Sequence, residues 1–168
     1  MTDHPGIVIE PVWSPDGARA VANMPIASKV VMFDPRVPAA QQRVEELPPY
    51  PDGFRTTSWS PDGARVAGTA NRPGGGIVVY TLASRSYEEI TPSGGGAVWL
   101  PDSRRLLYGA RGNLMLVDVG TKVSKPVFSL PREGISAVEL SPGAGEIYAV
   151  ITNRQSDIVL AKLPGSAP

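Results

Sequence analysis

Apolar and polar positions trade places every few residues along the whole chain. Four near-continuous apolar runs of strand length stand out: Val30-Val31-Met32-Phe33-Asp34, Ile77-Val78-Val79-Tyr80-Thr81, Leu114-Met115-Leu116-Val117-Asp118 and Ile158-Val159-Leu160-Ala161-Lys162. A strand apolar on both faces needs cover on both faces. Ahead of each run lie two further strand-like segments split by a turn. The segments before the turn are 7–13, 55–59, 97–99 and 136–140; those after it are 18–22, 64–69, 104–109 and 146–151. A more polar strand follows in three copies, at 42–47, 85–91 and 123–130. Its polar content suits an outer edge with one side in water, and it blunts unwanted edge pairing. The pattern predicts strands a, b, c and d in three repeats and a, b and c in a fourth.

The turn between a and b carries the repeat. Trp13-Ser14-Pro15-Asp16-Gly17-Ala18-Arg19 returns as Trp59-Ser60-Pro61-Asp62-Gly63-Ala64-Arg65. A third copy is Trp99-Leu100-Pro101-Asp102-Ser103-Arg104-Arg105, and a decayed fourth is Leu140-Ser141-Pro142-Gly143-Ala144-Gly145-Glu146. The steps between them are 46, 40 and 41 residues. A period near 40 matches one four-stranded propeller blade. Ser-Pro-Asp-Gly suits a type I turn, with Ser first, Pro fixing φ at the second position and Gly fourth. In the fourth copy Gly143 replaces Asp, which a type II turn accepts. The expected fold is all-β, about four four-stranded antiparallel blades with the last incomplete. The blades span 7–50, 51–92, 93–131 and 132–163, between short tails at 1–6 and 164–168.

These residues resemble the TolB-type β-propeller repeat, a WD-repeat-like motif marked by Ser-Pro-Asp-Gly after an aromatic residue. The resemblance covers residues 7–163. It implies a bacterial protein-binding platform. Family members also occur as tails of receptor-like kinases and as the gating propeller of some serine peptidases. The missing fourth d strand implies the C-terminal part of a larger propeller, or self-association through the incomplete blade.

Bulk chemistry narrows the function further. The chain has 168 residues, 16 Lys plus Arg against 16 Asp plus Glu, and no cysteine. The balance argues against a nucleic-acid surface. The absence of cysteine removes disulfides, thiolate metal sites and thiol nucleophiles. No run approaches the ~20 apolar residues of a membrane helix. No secretory signal is visible, so the expected location is cytoplasmic as the chain stands, or periplasmic within a longer exported protein.

Candidate residues each have a structural reading beside a functional one. Asp16, Asp62 and Asp102 could ring a cation, but each is placed to cap its own turn. Trp13, Trp59 and Trp99 could line a channel, but aromatic area at the end of strand a suits packing between blades. Arg19, Arg65 and Arg105 share a column after the turn; they fit solvated or carboxylate-paired side chains and offer a rim contact. Gly74–Gly76 and Gly94–Gly96 lack the Lys-Ser/Thr of a phosphate loop and read as flexible inter-strand loops. His4 is the single histidine and sits in the N-terminal tail. There is no Gly-x-Ser-x-Gly elbow to supply a nucleophile. The expectation is a non-catalytic module that binds a protein or peptide, with no cofactor and no metal; the alternative is an accessory propeller segment of a larger enzyme.

Overall fold

The computed structural model describes residues 9–24, 29–130, 134–141, 143, 145–152 and 156–162; at Ala39 and over 156–162 the backbone is described. The N-terminal tail with His4, the C-terminal tail, Pro142 and Ala144 lie outside these residues. Among the described residues, fifteen strands form four antiparallel sheets in sequence order. The first holds β1 (Ile9–Trp13), β2 (Ala20–Met24), β3 (Lys29–Phe33) and β4 (Glu45–Glu46). The second holds β5 (Phe54–Trp59), β6 (Arg65–Ala70), β7 (Ile77–Thr81) and β8 (Ser86–Thr91). In the third are β9 (Gly95–Trp99), β10 (Arg105–Ala110), β11 (Asn113–Asp118) and β12 (Ser124–Ser129). Among the described residues the fourth sheet has three strands, β13 (Gly134–Leu140), β14 (Glu146–Thr152) and β15 (Ser156–Lys162). Each sheet is a meander, as neighbouring strands joined by short turns must be.

The outer strand of the first sheet is shorter than the pattern predicts. It pairs over Glu45 and Glu46 with Met32 and Val31. A 3-10 turn at Ala39–Gln41 takes the chain before it. The Gln42 amide then donates to the carbonyls of Asp34 and Val37, at 3.2 and 2.9 Å, rather than running along a strand.

The core lies between sheets, not within them. Val21, Val30 and Leu47 of the first sheet meet Phe54, Trp59, Val66 and Val78 of the second. Ala67, Ile77 and Val79 of the second meet Trp99, Leu106, Tyr108 and Val117 of the third. Val98, Leu107 and Leu114 of the third meet Ile135, Val138 and Ile147 of the fourth. The alternation of strand side chains sends odd and even positions of one apolar run to opposite interfaces. Val78 therefore packs backwards and Val79 forwards, which is why the run is apolar throughout.

Polar links stitch β2 to β5 and β5 to β9. The Asn23 amide oxygen accepts from Thr56 N at 2.9 Å, with both residues buried. Thr57 Oγ1 donates to the Ala97 carbonyl at 2.7 Å, and Trp99 N donates to Ser58 Oγ at 3.1 Å. Buried polar groups must be satisfied, so these bonds fix the register of one blade on the next. Each pairing of a first strand with its second carries a bulge, between Ile9 and Val12, Thr56 and Ser58, Leu107 and Gly109, and Ile135 and Ala137. A bulge bends and twists its strand, and its return in every blade helps to set the repeat's curvature.

The two glycine triplets are not loose loops. Gly75 and Gly94 form a parallel bridge between the second and third blades, and Gly76 N and Gly94 N donate at 2.9 Å to the carbonyls of Gly94 and Gly74. A Cβ on Gly75 would stand 2.2 Å from the Gly94 carbonyl oxygen, and its φ is +67°. The backbones meet there because no side chain intervenes. Gly75→Ala is therefore expected to lower stability by about 2–3 kcal/mol. Gly134→Ala, where a Cβ would meet nothing closer than 3.6 Å, should stay within about 1 kcal/mol of the parent. Urea unfolding followed by tryptophan emission measures both; equal losses would show that the close approach is not what the glycine serves.

Candidate functional site

The a–b turns hold their residues by local hydrogen bonds. Gly17 N donates to the Ser14 carbonyl at 2.9 Å, Gly63 N to that of Ser60 at 2.8 Å, and Ser103 N to that of Leu100 at 3.0 Å. The Ser14 hydroxyl donates to Asp16 Oδ1 at 2.6 Å, and Ala18 N donates to the same oxygen at 3.0 Å. Ser60, Asp62 and Ala64 repeat those bonds at 2.6 and 3.0 Å. Asp102, whose repeat has Leu100 in place of Ser, accepts from Arg104 N and Arg105 N at 2.9 and 3.0 Å. Pro15, Pro61 and Pro101 supply the preset φ of the second position. The fourth turn is closed by Ser141 N to the Glu146 carbonyl and Glu146 N to Ser141 Oγ, both at 3.0 Å, with Gly143 at φ +82°. That angle is the one a type II turn needs at its third position.

These bonds tune the carboxylates. The Ser14 hydroxyl, then the Ala18 amide, hold Asp16 below the usual carboxylate range. Burial pulls Asp62 upward, but the Ser60 hydroxyl and Ala64 amide outweigh it and leave it lowered. For Asp102 burial is likewise overcome, by the amides of Arg104 and Arg105 and the Arg105 guanidinium. Among the described residues no three His, Asp or Glu side chains are grouped to hold a metal ion.

Two tryptophans and two arginines join in a way the columns did not foretell. Arg19 lies over the Trp59 ring at 5.3 Å and Arg65 over the Trp99 ring at 4.8 Å. The arginine of one repeat thus stacks on the tryptophan of the next. Trp59 and Trp99 are 6% and 3% exposed, each against the preceding sheet. Arg65 also donates to the Ser103 carbonyl, while Ser103 Oγ accepts from Asp62 N at 2.9 Å. The next repeat carries Leu140 in place of the ring, and Arg105 Nε instead donates to Asp102 Oδ2 at 2.5 Å. The signal was in the sequence: both columns repeat, and both end together.

Trp13 departs from the expected inter-blade packing. It is 55% exposed. The other two rings pack against a preceding blade, and among the described residues none precedes β1. The far end differs too: Tyr148 and Val150 on β14 are 40% and 43% exposed, where their counterparts in earlier blades face a following sheet.

The inner strands of all four blades wall a cavity of about 690 Å³. Its volume lies in the range of ligand sites. Glu10, Val12 and Trp13 line it from β1, Arg55 and Thr57 from β5, Gly95 and Gly96 from β9, and Ser136 through Glu139 from β13. Arg55 binds Glu10 with two donors, Nε to Oε2 at 2.8 Å and Nη2 to Oε1 at 2.5 Å, which holds Glu10 below its usual range. Arg72 is held by Asp52 and Glu89, both at 2.9 Å. Glu139 meets no cation or hydrogen-bond donor among the described residues, and burial pushes its carboxyl above its usual range.

Four sheets of meander topology around one cavity can be set beside solved structures. TolB from Acinetobacter baumannii is 18% identical, with a TM-score of 0.65 over 94% of this chain and 44% of that one. A putative TolB from Agrobacterium tumefaciens is 16% identical, with a TM-score of 0.64 over 98% and 80%. The chain has a TolB-like β-propeller fold. A Kuenenia stuttgartiensis hydrazine synthase chain is also similar, at 19% identity and a TM-score of 0.70 over 96% of this chain and 47% of that one. The chain thus spans under half the length of the Acinetobacter TolB and of the hydrazine synthase chain. No protein-family model matches it, and no curated protein sequence does.

Two measurements test this geometry. Arg65→Ala is expected to cost about 1–2 kcal/mol, from a lost ring contact and a lost carbonyl bond. Combined with Trp99→Leu, which mimics the fourth repeat, the loss should be less than additive by about 0.5–1 kcal/mol. Additive losses in the denaturation cycle would show the stack to be energetically idle. The turn aspartates carry a pH dependence. Their folded pKa values are lowered, so their contribution is complete above the ordinary value of 3.8 and is lost as pH falls through the lowered value. Stability should fall below roughly pH 4, and Asp62→Asn should make that slope shallower; an unchanged slope in denaturation curves down to low pH would contradict it.

Proposed function

We propose that this chain is a non-catalytic interaction module that takes a protein or peptide segment at the cavity between its inner strands. The observation that carries the reading is the cavity itself. Residues from four consecutive blades converge on it, and its wall combines an exposed aromatic ring, strand backbone and long polar side chains. Such a wall offers shape and directional contacts to an extended partner. The Glu10–Arg55 pair sets fixed charge at its side without closing it.

A second reading rests on the likeness to the hydrazine synthase chain. The module would then be an accessory propeller of a larger enzyme. The two readings separate on whether partner binding survives in the chain by itself.

Selection of a displayed random-peptide library on the purified chain tests the first reading. Enriched peptides are expected to bind with dissociation constants on the order of 10 µM. Ser136→Trp fills the cavity from an exposed position on β13 and should abolish that binding, while the loss of its exposed bonds to Val150 and Thr152 lowers stability by no more than about 1–2 kcal/mol and leaves unfolding cooperative. Selection without enrichment, or peptides indifferent to Ser136→Trp, would overturn the reading.

A further inference from the structure

We infer that Arg19 binds a carboxylate side chain of a protein partner, at the turn rim between the first and second blades. Neither Arg19 nor Trp59 lines the cavity, so the contact is separate from whatever the cavity takes. Each arginine–tryptophan stack has one contested carbonyl. In the second repeat Trp59 Nε1 donates to the Gly63 carbonyl at 3.1 Å. The equivalent carbonyl in the third repeat, that of Ser103, accepts from Arg65 instead. Trp99 Nε1 is then buried with no partner among the described residues. The indole has the carbonyl at the first interface, and the guanidinium has it at the second.

The two arginines are therefore left in different states. Arg65 has spent N–H groups on Ser103, and Asp62 stands 3.8 Å from it. Arg19 lies over Trp59 at 5.3 Å, and its guanidinium makes no hydrogen bond or ion pair among the described residues. Asp16 shares its turn but is spent on the Ser14 hydroxyl and the Ala18 amide. Neighbouring arginines of the turns are matched: Arg36 by Asp34, Arg104 by Asp118 and Arg105 by Asp102. A ring occupies the face of a guanidinium and leaves its in-plane N–H groups for other acceptors. Arg19 is also half-buried, so it has less side-chain freedom to lose on binding than an exposed arginine. A carboxylate matches two parallel N–H groups. The negative charge of Asp16 on the same turn disfavours a more highly charged phosphate.

The test follows arginine Nε–H signals of the isotope-labelled chain, with that of Arg19 identified by its loss in Arg19→Lys. The probes are acetyl-Gly-Glu-Gly-amide, its glutamine counterpart and inorganic phosphate, each titrated at low salt. The glutamate peptide is expected to shift the Arg19 signal with a dissociation constant on the order of 10 mM. The glutamine peptide should bind at least about fivefold more weakly. Arg111 is the internal control: it is exposed, with no ring beneath it and no side-chain bond among the described residues. Its response to the glutamate peptide should be at least about fivefold weaker than that of Arg19. Arg19→Lys keeps the charge and loses the fork, and should weaken the peptide at least about threefold when read from the Trp59 indole N–H. The Trp99 indole signal reports that the variant is folded. Equal responses at Arg19 and Arg111, or to the glutamate and glutamine peptides, overturn the inference. So do an affinity unchanged by Arg19→Lys and phosphate binding tighter than the glutamate peptide. None of these outcomes touches the cavity reading, which stands or falls on the library selection.

Discussion

A blade of this protein cannot bury itself. Its second and third strands are apolar on both faces, so each sheet is stable only when a neighbour lies on either side. Burying a tryptophan or comparable side chain at such an interface is worth about 3–5 kcal/mol when measured by its removal. Every other feature serves that requirement. The inter-sheet bonds of Asn23, Thr57 and Ser58 fix how far one sheet slides on the next. The recurrent bulge helps to turn the stack into an arc. The cavity follows from the arc, because the inner strands converge on one side while the outer strands splay into water.

Interfaces are therefore layered from the inside outward. Nearest the cavity are buried polar clamps. An apolar cluster follows. At the turn end comes a stack of arginine on tryptophan. On the outer side, ion pairs such as Lys122–Glu88 at 3.0 Å bridge the β11–β12 turn to β8. Exposed pairs of this kind contribute less than about 1 kcal/mol each. They are better understood as fixing which neighbour fits than as holding it.

The repeat, its turns and its strand order were legible in the sequence because they are local. Period-two alternation, Pro at a fixed φ and a 40-residue step are all written within one blade. What was not legible lies between blades. Arg19 reads as a solvated surface residue until Trp59, forty positions on, is placed beneath it. Gly75 and Gly94 read as slack until two backbones are found touching there. The exposure of Trp13 escaped for the same reason. Its column predicts burial, but burial is a property of the neighbour on its open side. The shortness of β4 is a further case, since the side-chain amide of Gln42 competes for carbonyls that a strand would have left to solvent.

The ends of the array show which parts of the motif belong to the fold and which belong to the interface. The fourth turn loses the aspartate, yet Gly143 lets it close with the same Ser141–Glu146 bonds that join Ser14 to Arg19. The turn is thus demanded by the hairpin and survives substitution. The arginine–tryptophan stack behaves differently. Once Leu140 removes the ring, Arg105 swings to its own Asp102, and the fourth repeat carries Glu146 where an arginine would reach forward. The stack forms at the first two blade interfaces and is absent at the third, where the ring is lost and its arginine is retained.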